Sequence, residues 1–147
     1  MVKYIAMRIR GTVDVPGDVE ATLNLLRLRR KFAAVILEKN QVNMGMLHKA
    51  KDYISFGEID QETFKQLLLK RAKKEGEKPL EIAGKAIEEF IQKFWDNKAK
   101  FSDLKIKPFF RLHPPIGGFK KSTRLSAPKG LLGYQGEKIN LLVKKML

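Results

Sequence analysis

The chain has 147 residues and a net charge of +14 at neutral pH, because 30 lysines and arginines oppose 16 acidic residues. A hydrophobic fraction of 44% is enough for the core of one domain, and the large positive charge favours a polyanionic partner. The sequence has no cysteine, no signal-peptide apolar stretch and no run of about 18 apolar residues, which excludes disulfides, thiolate metal sites and a membrane span and favours the cytoplasm.

The sequence opens with a predicted strand and a predicted helix. Residues 3–11, KYIAMRIRG, carry apolar side chains at every second position, which predicts a strand with one buried face. Residues 18–28 have apolar residues at helical spacing. Arg27, Arg29 and Arg30 follow as cations near the negative end of the helix dipole.

A second strand and a second helix follow. Residues 32–39 are rich in β-branched and apolar residues, which predicts a central strand. Asn43 is a candidate N-cap for a helix over residues 44–55, with Gly57 just past its end.

Residues 60–99 predict a helical hairpin. Asp60 is a candidate N-cap for a helix that ends at Gly76, and Pro79 is suited to begin the next helix. The apolar residues of that second helix recur at helical spacing, at Leu80, Ala83, Ile87, Phe90 and Phe94. With nine cations and eight anions the segment is nearly neutral, so we interpret it as a packing insertion and not as a polyanion-binding surface.

Most of the excess charge lies at the C-terminal end. Residues 100–147 hold 11 cations and 2 acidic residues, a net charge of +9. Residues 104–113, LKIKPFFRLH, alternate apolar and basic side chains and predict a third strand. Pro108 lacks a backbone N–H, so this strand should lie at a sheet edge or be interrupted there. Residues 137–147 predict a final amphipathic helix.

Residues 114–136 show no secondary-structure periodicity and contain no acidic residue. A loop of this length usually indicates function or disorder. Its glycines allow close approach to a ligand, its cations suit phosphate, and its aromatic rings suit stacking on unpaired bases, which together predict RNA binding. The cations and rings are Lys120, Lys121, Arg124, Lys129, Phe119 and Tyr134. The competing interpretation is a flexible basic loop that only keeps the protein soluble.

Four segments, in their order and spacing, resemble one known family. They are KYIAMRIRG at the start, NMGMLHKAKDYISFGE in the middle, RLHPPIGGF before the basic stretch, and GLLGYQGEKINLLVKKM at the end. This chain is similar over nearly its whole length to the "L thirty" family of large-subunit ribosomal proteins in its long archaeal form, called "L seven" in eukaryotes. Because KYIAMRIRG stands at the start, we expect no counterpart of the long basic N-terminal arm of the eukaryotic form.

The resemblance implies an α+β fold of the ferredoxin-like type, in the order β-α-β-α-β. A three-stranded antiparallel sheet carries two helices on one face, with a helical-hairpin insertion before the third strand and a basic C-terminal loop and helix. Residues 1–147 would then be one rRNA-binding domain. Its parts would be a β-α-β-α core in residues 1–59, the insertion in residues 60–99, and the third strand, basic loop and helix in residues 100–147.

The resemblance also implies function and partners. The chain would be a structural constituent of the large ribosomal subunit, without catalytic activity, and would bind and stabilise folded large-subunit rRNA. Neighbouring large-subunit ribosomal proteins and the five-S rRNA are further candidate partners. No cofactor, metal, membrane or small-molecule substrate is predicted.

The candidate RNA contacts combine the basic residues with positions that match the family. The family's glycine-rich segment falls on Pro114, Pro115, Gly117 and Gly118, and its Asn-x-Gly-Met element falls on residues 43–46. For Asn43 a plain N-cap is the competing interpretation. The candidate RNA-binding residues are Arg8, Arg10, Asn43, Gly45, Arg111, His113, Gly117, Gly118, Phe119, Lys120, Lys121, Arg124 and Lys129.

Other functions have weaker support. The segment GGFKKST resembles a nucleotide-binding loop of an enzyme but lacks the spacing GxxxxGK[ST], and His48 and His113 have no partner motif for catalysis or metal binding. The basic helix INLLVKKML could bind a membrane surface or a partner helix, although it is short for that purpose. A DNA-binding protein or a non-ribosomal RNA-binding module are the remaining alternatives; a recognition helix would concentrate cations that here lie on strands and a loop.

Overall fold

The computed structural model describes residues 3–72, 84–119, 122–126 and 130–147. The strands are β1 (Lys3–Arg8), β2 (Ala33–Glu38), β3 (Ile54–Glu58), β4 (Phe110–Arg111), β5 (Ser122–Ser126) and β6 (Gly130–Tyr134). The helices are α1 (Gly17–Leu25), α2 (Gln41–Lys49), α3 (Gln61–Arg71), α4 (Gly84–Trp95) and α5 (Ile139–Met146). Short 3-10 turns span Phe101–Leu104 and Gly136–Lys138.

Within the described residues the strands form a sheet of order β4-β2-β1-β3-β6-β5. Its centre is antiparallel, because β1 pairs with β2 on one side and with β3 on the other. Beyond this centre β4 pairs antiparallel with β2, β6 pairs parallel with β3, and β5 pairs with β6 in an irregular register. The predicted α+β class and the three-stranded antiparallel arrangement are confirmed, and further strands extend the sheet on both sides.

The sheet separates two hydrophobic cores. Ile5, Met7 and Ile9 pack in the core that contains residues of α3, α4 and α5. Tyr4 and Ala6 pack in the other core, with residues of α1 and α2. The two helices predicted for one face are therefore confirmed. The prediction that the first strand has one buried face is wrong, because the insertion and α5 cover the second face and every residue of β1 is buried.

The second helix differs from its prediction at both ends. Asn40, and not Asn43, is the N-cap of α2, and its side-chain oxygen accepts a hydrogen bond from the Asn43 backbone N–H at 2.7 Å. The helix ends at Lys49, and residues 54–58, which overlap the predicted helix end, form β3. Gly57 therefore lies in a strand and does not end a helix, because pairing with β1 determines the conformation of this segment.

The C-terminal third also differs from its prediction. The third strand of the antiparallel centre is β3, whereas the predicted strand over residues 104–113 is reduced to β4 at the sheet edge. The expected edge position and interruption at Pro108 are confirmed, since β4 begins after it. The predicted loop over residues 114–136 contains β5 and β6. Local composition did not reveal β6, because its partner is the distant strand β3.

The predicted insertion packs on the sheet. Asp60 caps α3 as predicted, because its side-chain oxygen accepts a hydrogen bond from the Thr63 backbone N–H at 2.6 Å. Three of the predicted apolar residues of α4, Ile87, Phe90 and Phe94, are buried. The other positions predicted in this hairpin, Gly76, Pro79, Leu80 and Ala83, lie outside the described residues. The first residue of α5, Ile139, is fully buried and closes the same core.

Candidate nucleic-acid interface

Residues 114–119 form a surface turn, which we call the glycine turn. Gly117 and Gly118 have φ angles of +80° and +77°, a backbone region that glycine adopts without a steric penalty. The Gly118 backbone N–H donates to the Pro115 carbonyl at 3.0 Å, and the Ile116 N–H donates to the Lys145 carbonyl at 3.1 Å. The turn is thus held against the last turn of α5, and both glycines present a backbone without side chains to the outside.

The glycine turn lies next to a second basic segment that is distant in sequence. The Phe119 and Phe32 rings lie with centroids 6.0 Å apart. Just before the turn, the Leu112 backbone N–H donates to the Phe32 carbonyl at 3.0 Å, and Arg111 pairs with Ala33 across β4 and β2. The fold therefore brings residues 111–119 and the cationic segment before Phe32 into one continuous surface.

The cationic segment before Phe32, residues 27–31, lines a cleft of about 320 Å³. We call this cleft the arginine cleft. Its lining consists of four exposed arginines with Ala33 and Phe109, and no acidic residue is among the described residues that line it. The four arginines are Arg27, Arg29, Arg30 and Arg111. Like charges at this density attract a polyanion, and guanidinium groups match the geometry of phosphate oxygens.

Arg8 is a predicted RNA contact that the structure places inside the protein. Its side chain is 1% exposed, and its three guanidinium nitrogens donate to the carbonyls of Arg10, Leu28 and Gly11 at 3.0, 2.8 and 3.2 Å. Burial lowers the pKa of Arg8, and the charge of Glu20 opposes this shift. The RNA contact of Arg8 stays a prediction, and this geometry favours a structural role.

The Asn43 and Gly45 pair lies on α2. The Asn43 side-chain amide donates to the Glu38 carbonyl at 2.9 Å, which ties the start of the helix to the end of β2. Asn43 also lines a cleft of about 340 Å³ together with Arg27, so it lies near the arginine cleft. Gly45 is exposed, and a Cβ built on it would meet no atom within 4 Å. No contact inside the described chain requires glycine at this position.

The remaining predicted contacts are dispersed. Arg10 is exposed, with its guanidinium 5.3 Å from the centroid of the Tyr53 ring. His113 is exposed, and its backbone N–H donates to the Met146 carbonyl at 3.0 Å. Arg124 lies in β5. Lys120, Lys121 and Lys129 lie outside the described residues.

Comparison with known proteins identifies the family. The model of the family Ribosomal protein L30p/L7e matches residues 4–54. A relative from Staphylothermus marinus named large ribosomal subunit protein uL30 is 46% identical, and the match covers 98% of each chain. The chain belongs to this family. Relatives of the same name from Nanoarchaeum equitans and Aeropyrum pernix are 42% and 41% identical, over 100% and 98% of both chains.

Membership confirms the resemblance that the sequence motifs predicted, and with it the prediction of a ribosomal protein that is not an enzyme.

His48 is exposed on α2, and its ring lies edge-on to Phe56 at 6.2 Å. Within the described ranges, no cluster of three or more histidine or acidic side chains could hold a metal ion. A search of the same ranges finds no helix with the length and apolar character needed to cross a membrane.

Sequence reasoning missed the arginine cleft of this family member. It assigned Arg27, Arg29 and Arg30 to a helix end, but α1 ends at Leu25 and Arg27 has a φ angle of +62°, outside helical geometry. The available signal was the run RLRRK at residues 27–31, because a cluster of cations marks a nucleic-acid-binding patch as readily as a helix end.

Proposed function

We propose that the protein is a structural constituent of the large subunit of cytoplasmic ribosomes that binds and stabilises folded large-subunit rRNA. The main support is the continuous surface formed by the glycine turn, Arg111 and the segment before Phe32. The archaeal relatives bear the name large ribosomal subunit protein, which supports the same assembly for this chain. The whole chain would act as one rRNA-binding domain.

The proposed mechanism is neutralisation of backbone phosphates by cations at fixed positions. Lysine and arginine release condensed counterions when they contact phosphates, so binding should weaken as salt rises. The glycine turn allows the RNA backbone to approach the protein backbone closely. Contacts of this kind fix position and orientation and carry no direct sequence information.

Partners beyond the large-subunit rRNA remain part of the proposal. The helical insertion is nearly neutral, and α4 ends at the half-buried Trp95, whose ring lies 5.5 Å from that of Phe64. A surface of this type suits a neighbouring ribosomal protein better than RNA. The five-S rRNA stays a candidate partner.

A triple change in the basic segment tests the proposed function. We expect Lys120→Ala, Lys121→Ala and Arg124→Ala together to weaken binding to large-subunit rRNA and to lower the salt dependence by about one phosphate contact per lost cation. Filter binding across a series of KCl concentrations measures both quantities. The matched control is Lys70→Ala, Lys85→Ala and Lys93→Ala, which removes three exposed charges from α3 and α4. An equal effect of the two triple variants would contradict the proposed placement.

Gly45→Ala separates stability from binding. Glycine inside a helix costs about 1 kcal/mol relative to alanine, and a Cβ at Gly45 meets nothing within 4 Å. We therefore expect the free energy of unfolding of the free protein to rise by about 0.5–1 kcal/mol. If RNA lies against Gly45, rRNA affinity should fall in the same variant. Urea unfolding and filter binding give the two results, and a more stable variant with unchanged affinity would remove Gly45 from the interface.

A further inference from the structure

We infer that the arginine cleft is the part of this surface that takes phosphate groups of the rRNA backbone. This inference rests on the proposed function and names the arginines that anchor the RNA. The cleft unites Arg27, Arg29 and Arg30 from the loop after α1 with Arg111 from β4. Three of these residues were not among the predicted contacts, and the site exists only because β4 pairs with β2 at Ala33.

The loop after α1 carries Arg27, Arg29 and Arg30, and its first end is fixed by buried groups. Leu28 is fully buried between the exposed Arg27 and Arg29, and its backbone N–H donates to the Leu23 carbonyl at 2.9 Å. Its carbonyl accepts a buried hydrogen bond of 2.8 Å from the Arg8 guanidinium. The side chains on either side of Leu28 must therefore point away from the core.

The end of this loop at Phe32 is fixed by the backbone of Arg8, the same residue of β1. The Phe32 backbone N–H donates to the Arg8 carbonyl at 2.7 Å, and the Ala33 N–H donates to the Arg30 carbonyl at 3.2 Å. Arg27 and Phe32 have φ angles of +62° and +65°, which residues with side chains keep only where surrounding contacts hold them. The loop is thus ordered before a ligand arrives, which lowers the entropy cost of binding.

The chemistry of the lining selects the ligand. Guanidinium groups donate two parallel hydrogen bonds to phosphate oxygens, and no described acidic residue lines the cleft to compete for them. The Arg111 guanidinium lies 5.7 Å from the centroid of the Phe109 ring, which supports it from one side. Contacts of arginine with phosphate carry no direct sequence information, so binding at this cleft should depend little on the RNA sequence.

The test compares two triple variants of the full chain. One changes Arg27, Arg29 and Arg30 to Gln, and the other changes the same residues to Lys. Binding to archaeal large-subunit rRNA is measured over a KCl series, beside the Lys120, Lys121 and Arg124 variant and the control on α3 and α4. Circular dichroism and thermal unfolding confirm that each variant is folded. If the triple Gln variant does not fold, the double variant Arg29→Gln with Arg30→Gln replaces it in the binding measurements.

We expect the triple Gln variant to lower the salt slope by about one unit per lost phosphate contact and to weaken binding by about tenfold or more. The triple Lys variant should keep most of the slope but lose several-fold in affinity, because lysine lacks the two-pronged geometry of arginine. A triple Gln variant that behaves like the α3 and α4 control, while the basic-segment variant loses affinity, overturns the inference and leaves the proposed function standing. If neither the triple Gln variant nor the basic-segment variant loses rRNA affinity, both the inference and the proposed function are overturned.

A second measurement distinguishes RNA from free phosphate. The side-chain Nε–Hε signals of the cleft arginines are followed by NMR during titration with a short large-subunit rRNA fragment or with inorganic phosphate at matched ionic strength. We expect the RNA to shift these signals and inorganic phosphate to leave the RNA complex intact. Saturation by inorganic phosphate without a response to RNA would assign the cleft to a free anion and overturn the inference.

Discussion

Gly57→Ala is expected to lower the free energy of unfolding by about 3 kcal/mol, near the upper end of the range for added core atoms. Gly57 lies in β3 opposite Ile5 of the central strand. A Cβ at this position would overlap the Gly136 carbonyl oxygen and lie 2.9 Å from the Ile139 side chain. The backbone oxygen cannot move aside without displacing the start of α5, so relief of the overlap must disturb the core that Ile139 closes.

Urea unfolding monitored by fluorescence of the single tryptophan, Trp95, measures this effect. Its indole lies 5.5 Å from the Phe64 ring in the same core, so unfolding changes its surroundings. Gly45→Ala is the matched control, because it makes the same chemical change where a Cβ meets nothing. A Gly57→Ala protein within about 0.5 kcal/mol of the parent would show that β3 and the start of α5 are less tightly packed than the structure indicates.

The two glycines show what the sequence can and cannot determine. The sequence alone gives no reason to treat Gly45 and Gly57 differently. Gly45 lies inside a segment with helical spacing, and Gly57 follows the same segment. At Gly57 the reason for glycine is the approach of residues 136–139, which are remote in the chain. At Gly45 no described part of the chain supplies a reason. Only a three-dimensional arrangement distinguishes a glycine required by packing from one that no described contact requires.

The elements predicted correctly are those with strong local patterns. The strand period near Ile5 and Met7 and the cap at Asp60 depend on neighbours along the chain, and both were found. The strand β3 depends on pairing with the distant β1, and β6 depends on pairing with β3, so local pattern placed β3 at a helix end and β6 in a loop. Long-range pairing overrides weak local preference in such segments.

The residues of the candidate site also fall into those that local sequence predicts and those that depend on long-range pairing. Composition alone indicated the basic C-terminal segment and the glycines of the turn, because these features are contiguous in sequence. The arginine cleft required Arg111 to meet the loop after α1, which depends on the edge pairing of β4. Arg8 shows the opposite error: alternation placed it on a polar surface, whereas α1 and α2 cover that face of β1.

Arg8→Met is expected to destabilise the protein by about 3 kcal/mol, because three carbonyls lose their donors, one from a buried hydrogen bond and two from partly buried ones. Methionine has a similar length and packs well against apolar neighbours, so the effect isolates the lost hydrogen bonds more cleanly than truncation to alanine. Arg10→Met is the matched control. Arg10 is exposed on the same segment, and its replacement should change the free energy of unfolding by less than about 0.5 kcal/mol.

The same substitution should also loosen the arginine cleft. Arg8 holds the Leu28 carbonyl through its side chain and the Phe32 N–H through its backbone, and these residues bracket Arg29 and Arg30. We expect faster amide hydrogen exchange in residues 27–32 of Arg8→Met and weaker rRNA binding at temperatures where the variant remains folded. Arg8→Lys should recover part of the stability, since one ammonium group reaches fewer of the three carbonyls. Unchanged exchange in residues 27–32 would show that Leu28 packing alone fixes the loop.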